Sequence, residues 1–146
     1  SETVYNSPSI AAIGVAAHEA GHALQDAGAY APLKVRNSIV PVVNLGSGMA
    51  FPLFFIGFLF GAPVLMDVGI LFFVGVLVFH LVTLPVEYNA SGRALKILSG
   101  TGILASDELK GARAVLNAAA LTYVAATVMA ALQLVRLLLL RGMRND

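Results

Sequence analysis

The chain contains no cysteine, which excludes disulfide staples, thiolate catalysis and any Cys-based metal site. Charge is scarce too. Only 12% of the residues are charged, against roughly a quarter in water-soluble chains, while 58% are hydrophobic, so the composition argues against a surface made mainly for water. The net charge is +1 and the basic residues form no long stripe, leaving no electrostatic footprint for nucleic acid. There is no internal repeat and no low-complexity tract, and 146 residues suffice for one compact domain, 1–146, rather than two. The chain opens Ser1-Glu2-Thr3 with neither methionine nor a charged-then-apolar leader, so it reads as the remainder of a longer polypeptide without a visible signal peptide.

What is present is long apolar runs. No charged side chain occurs from Asn37 to Met66, and after Asp67 a second uncharged run extends from Val68 to Val86, broken only by the polar His80. A hydrocarbon layer of about 30 Å takes roughly 20 apolar residues of helix, so spans are predicted at 44–64 and 68–86, with 36–43 as an interfacial lead-in and Asp67 as the turn of a hairpin. Pro41, Pro52 and Pro63 are tolerable there because neighbouring groups in a membrane bundle can satisfy the freed carbonyls. A third span is predicted at 117–140, continuing a helix capped by Ser106 and carrying Asp107 and Glu108 in its first turn. Between spans two and three, 87–113 reads as a helical segment interrupted at Gly100-Thr101-Gly102. His80 lies deep in a span and reads as a hydrogen-bonding group between helices. Lys34, Arg36 and the four basic residues between 93 and 113 outnumber Arg136, Arg141 and Arg144, which predicts the first set on the cytoplasmic side.

Before the first span, 7–26 reads as a helix with Ser7 as cap, Pro8 at its first position and Gly28 as its stop, followed by a connector at Tyr30-Ala31-Pro32. Ile10, Ile13, Ala17, Ala20 and Leu24 recur on one side, and Val15, His18, His22 and Gln25 or Asp26 on another. The second set contains H-E-x-x-H at 18–22. Residues four apart on a helix stand one above the other, so His18 and His22 can reach one zinc ion while Glu19 lies beside them. Zinc activates water and polarises a carbonyl, and a free carboxylate moves the proton, which are the requirements of peptide hydrolysis. A metzincin-type third histidine is absent, since position 28 is glycine. Glu87 is the preferred third ligand because the hairpin returns it to the side from which Arg36 left; Glu2, Asp26 and Glu108 compete with it. Ser91, one turn beyond Glu87, is the first choice to hold an imidazole, ahead of Asn89 and Asp26. Tyr88, Arg93, Asn117 and Tyr123 are the available donors for a developing oxyanion.

Three blocks, SIAAIGVAAHEAGHALQDAGAYAPLKVR at 9–36, LVTLPVEYNASGRAL at 81–95 and ELKGARAVLNAAALTYVAA at 108–126, resemble the bacterial membrane-bound neutral zinc metallopeptidases of the YugP type. The resemblance covers nearly the whole chain. It implies an integral membrane zinc peptidase in which His18 and His22 are ligands and Glu19 is the catalytic base. The wider gluzincin pattern, with a glutamate on a later helix, lands on Glu87. In those relatives an acidic residue follows the third ligand by four positions, where this chain has Ser91. Family members also have a longer N terminus, so the resemblance implies either that a span and part of a substrate groove are missing here or that a compact form does without them.

The expectation is therefore an all-α integral membrane protein, embedded in the lipid bilayer and acting on peptide or protein substrates, with Zn2+ held by His18, His22 and Glu87. The alternative is a non-catalytic membrane scaffold or partner subunit with a structural zinc site, which needs a fourth protein ligand such as Asp26 or Glu108. A metal transporter would need ionisable residues at mid-membrane in more than one span, and only His80 qualifies.

Overall fold

The computed structural model describes residues 9–144. They form helices α1 (Ile10–Ala27), α2 (Ala31–Phe60), α3 (Pro63–Thr101) and α4 (Ser106–Met143), with no strand among the described residues. The protein is an all-α membrane protein: α2, α3 and α4 are each long and apolar enough to cross a bilayer. At 39 and 38 residues, α3 and α4 are about twice the length a hydrocarbon core requires.

Local chemistry sets the ends of α1. Ser9 is its N-cap, with Oγ accepting the Ala12 N–H at 3.1 Å. The expected cap Ser7 and the following Pro8 lie outside the described residues. At the other end Tyr30 N–H reaches Gln25 O at 2.9 Å and Ala29 N–H reaches Asp26 O at 3.0 Å, the paired bonds of a Schellman motif. Gly28 is the C-cap as expected, but the left-handed position falls one residue later, on Ala29 at φ 52°. The predicted connector at 30–32 is shorter than expected, because α2 already begins at Ala31.

Three boundaries differ from the sequence reading. The break between the first two long helices lies at Gly61-Ala62 rather than Asp67. Gly61 takes φ 66°, which ends α2, and Pro63 opens α3 where a missing N–H costs no hydrogen bond. Asp67 sits inside α3 because its charge is met there: Arg141 donates to its two carboxylate oxygens at 2.7 and 3.2 Å. The predicted segment 87–113 is not separate either, since α3 runs through Pro85 to Thr101 before Gly102, at φ 66°, interrupts the chain. Ser106 is the first residue of α4 and Ala105 its cap: Leu109 N–H bonds Ala105 O, and Glu108 Oε2 accepts the Ala105 N–H, both at 2.8 Å.

The chain divides into two compact units. One comprises Ser1–Lys34 and Thr83–Val124, the other Val35–Val82 and Ala125–Asp146. The first has a core of Ala17, Ala94, Leu98, Leu104, Ala112 and Leu116, with Ile10, Ile13, Leu95 and Leu109 packed on it. The second is built on Ala50, Phe54, Met66, Phe73 and Leu137. In the second unit the rings of Phe51 and Phe73 meet edge to face at 5.3 Å, and Arg144 lies over Phe58 at 5.7 Å. His80, expected to hydrogen-bond between helices, instead sets its ring edge against Phe79 at 6.0 Å.

Candidate metal centre

The centre is assembled inside the first unit from α1 and α3. Five positions on α1 are buried; besides Ala12 they are Gly14, Ala17, Gly21 and Gln25, three or four apart, so these four form one stripe down the helix. This corrects the apolar face read from the sequence: Ala17 is buried, but Ala20 and Leu24 are exposed. The buried stripe is made of small residues because α3 comes very close. A Cβ on Gly21 would stand 2.3 Å from the Ala90 carbonyl oxygen, well inside contact distance. Glycine between the two histidines is thus what lets the helices meet at this level. On α3 the matching stripe is Thr83, Val86, Glu87, Ala90, Ala94 and Leu98, again at three- and four-residue spacing.

This contact brings three donors together. His18 Nε2 lies 3.0 Å and His22 Nε2 3.6 Å from the same carboxylate oxygen, Glu87 Oε2. The histidine rings stand edge to face, 4.7 Å between centroids. One ligand atom from each of the three residues falls within 4.8 Å of the others. Glu87 is only 2% exposed, and a buried carboxylate facing two imidazoles suits a bound cation, which would offset the cost of removing that charge from water. Two neutral nitrogens and one carboxylate are a zinc-type donor set.

The remaining ring nitrogens are held from behind. Ser91 Oγ is 3.1 Å from His18 Nδ1, which is the pairing anticipated for Ser91. His22 Nδ1 is 2.9 Å from Gln25 Oε1. The direction of that bond follows from a chain beginning at an obligate donor. Arg93 Nε donates to Asn89 Oδ1 at 2.8 Å, and Gln25 Nε2 donates to the same oxygen at 3.1 Å and to Val86 O at 2.7 Å. Gln25 therefore presents its oxygen to His22, which must carry its proton on Nδ1 and leave the Nε2 lone pair facing Glu87. Gln25 is fully buried. The sequence reading placed it on the histidine face without giving it this role. Its signal there was its place three residues after His22 on an otherwise small-residue helix.

Glu19 is exposed and makes no hydrogen bond or ion pair among the described residues. Of the other competitors for the third donor, Asp26 is exposed, Glu108 is occupied in capping α4, and Glu2 lies outside the described residues. Asn89 touches Gln25 rather than a histidine. The four proposed oxyanion donors separate. Tyr123 lines a cavity of about 180 Å³ together with His18, Glu87 and Ser91. Tyr88 and Arg93 line a wider groove of about 670 Å³ with Leu24 and Lys96, and Arg93 there also covers the Tyr30 ring at 5.8 Å. Asn117 is exposed.

Comparison with known proteins identifies a zinc-dependent family. A family model described as "Putative neutral zinc metallopeptidase" matches residues 1–142. The chain is 47% identical over 140 residues to the "Putative membrane protease YugP" of Bacillus subtilis (strain 168), an alignment covering 96% of this chain. The chain spans 62% of that relative's length. No solved structure matches it. The chain belongs to the neutral zinc metallopeptidase family and is a membrane protein whose metal is zinc.

Proposed function

We propose that the protein is a zinc-dependent membrane endopeptidase working at the cytoplasmic membrane surface, with His18, His22 and Glu87 as zinc ligands and Glu19 as the catalytic base. The observation that carries this reading is the convergence of two Nε2 atoms on one buried carboxylate oxygen, with both Nδ1 atoms already bonded and an uncommitted carboxylate one residue from His18. Zinc, when bound, lowers the pKa of water and polarises a carbonyl. Glu19 takes the proton of the attacking water and hands it to the leaving amine; its exposure leaves the carboxylate free to do so. Ser91 and Gln25 keep the imidazoles oriented and, for His22, in the required tautomer. Tyr123 is our candidate to donate to the developing oxyanion, because among the four candidates it shares a cavity with His18 and Glu87. The cytoplasmic placement rests on the excess of Lys and Arg flanking this part of the chain.

The scaffold alternative needs a fourth protein ligand. Glu108 is engaged in a cap and Asp26 stands outside the donor cluster, which favours the hydrolytic reading. Hydrolysis of a casein-like substrate, measured beside zinc content, tests it. Glu19→Gln should lower turnover by about 10²–10⁴-fold while zinc stays near one per chain. Glu87→Ala should lower both. Loss of zinc on Glu19→Gln alone would make Glu19 a ligand and refute its role as base.

A further inference from the structure

The small cavity beside the metal centre serves in the reading above only to place Tyr123, and its own space is given no substrate role there. It is bounded by Val15 from α1, by Val115, Leu116, Ala119, Ala120 and Tyr123 from α4, and on its third side by Glu87 and Ser91 of α3 with His18. We propose that this cavity is a specificity pocket that accepts an uncharged apolar side chain, up to the size of phenylalanine, from a residue bordering the scissile bond. The inference rests on the metal-centre reading and adds the substrate class.

Position is the first argument. The cavity shares His18 and Glu87 with the donor cluster, so it borders the centre itself. Consecutive Cα atoms are about 3.8 Å apart, so a chain with its carbonyl at the centre must hold one adjacent side chain within a few ångströms of the cavity. Size is the second. At about 180 Å³ it is below the roughly 300–1,000 Å³ of pockets for whole small molecules. It is comparable to an apolar cavity of about 150 Å³ that holds benzene, so leucine, methionine and phenylalanine side chains fit.

Polarity is the third argument. Five of the bounding residues are Val, Leu or Ala, and the charged or titratable groups at the rim, His18 and Glu87, face one another across the centre. A glutamate side chain entering this space would give up water without gaining an opposite charge, and a lysine would meet only Glu87, already committed to the two imidazoles, whereas a leucine loses nothing. The space also has an identifiable origin. Ala119 and Ala120 line it from α4, and Ala120 is nearly fully buried against the unit, so a larger side chain at Ala120 would take up part of the space.

The test uses binding, so it does not depend on turnover. Zinc-loaded protein in detergent is titrated with acetyl-leucine, acetyl-phenylalanine, acetyl-glutamate and acetyl-glycine hydroxamates, which present the side chain on the acyl side. N-formyl-N-hydroxy-leucinamide and its glycine counterpart present it on the amine side. The leucine or phenylalanine probe should bind about 10–100-fold tighter than glycine in one of the two orientations, and the glutamate probe no better than glycine. Ala120→Phe should bring the ratio close to one. Ala119→Phe, at an exposed rim position that tolerates bulk, should do the same if the buried substitution prevents folding; zinc content near one per chain marks the folded variant. A wild-type ratio within threefold in both orientations, absence of binding by every probe, or a preference that survives both fillings would overturn the pocket. Selective binding without any hydrolysis of casein would leave the pocket standing and defeat the peptidase reading. Hydrolysis without side-chain preference would do the reverse.

Discussion

The two compact units each take part of α3 and α4, the first adding α1 and the second nearly all of α2, yet they solve different packing problems. The unit of Val35–Val82 and Ala125–Asp146 fills its interior with Phe54, Met66, Phe73 and Leu137 and leaves Leu45, Leu59, Phe60 and Leu71 strongly exposed. Lipid is as apolar as these side chains, so what holds such helices together is close contact of bulky groups rather than expulsion of water. The unit of Ser1–Lys34 and Thr83–Val124 lines its α1–α3 contact with Ala17, Gly21, Ala90 and Ala94 and buries Gln25 and Glu87. Small residues shorten the distance between backbones until side chains from α1 and α3 share hydrogen bonds. The contrast teaches that one region is built for volume and the other for distance. A polar site survives inside an apolar protein only where every buried group can reach its partner.

The largest effect expected from this contrast is at Gly21. Gly21→Ala puts a methyl group 2.3 Å from the Ala90 carbonyl oxygen and must push α1 and α3 apart, so zinc binding should be lost with a destabilisation of about 3 kcal/mol. Gly48→Ala in the other unit, where nothing lies within 4 Å, should be neutral or stabilising by up to about 1 kcal/mol, with zinc unchanged. Equal zinc loss in both variants, measured by metal analysis after detergent purification, would erase the distinction between distance and volume. In the same comparison, Phe54→Ala should cost about 3–5 kcal/mol through the cavity it leaves, yet the protein that remains folded should keep its zinc stoichiometry.

Gln25→Leu should weaken zinc binding about 10–100-fold, because His22 loses its tautomer-fixing acceptor while Val86 O and Asn89 lose a donor. In the metal-free protein, nitrogen NMR of the His22 ring should move from protonation on Nδ1 toward a mixture. An unchanged ring spectrum would reduce Gln25 to packing. The smallest effect is expected at the end of α1. Ala29→Gly relieves a left-handed alanine and should raise stability by about 1 kcal/mol with no change in zinc affinity, a shift that thermal unfolding can resolve.

Much of the site was legible because its first half is local. His18 and His22 share a face through helical geometry alone, and Glu87 stood out as the acidic residue closing an apolar run. Ser91 followed from the four-residue spacing, and the structure pairs it with His18. Gln25 and Gly21 were harder to read. A glutamine on a helix face has many uses, and a glycine signals close approach only once the approaching backbone is known. The hairpin turn was misplaced for a related reason: Asp67 looked like a loop residue because its partner Arg141 is 74 residues away, while the local stop signal, Gly61 before Pro63, resembled the other Gly and Pro residues of the run.

The amino-acid order alone determined that this is a helical membrane protein carrying a paired-imidazole motif, since hydropathy and i, i+4 geometry need no information beyond a few turns of chain. The folded structure alone decided which carboxylate the imidazoles face, which atom holds each Nδ1, and that an apolar cavity opens beside them. The contacts of His18 join residues 69 and 73 positions apart, and Gln25, three residues from His22, is itself oriented by Val86, 61 positions away. They exist only where two helices approach closely enough for short side chains to touch, and that approach is a property of packed surfaces rather than of any single segment.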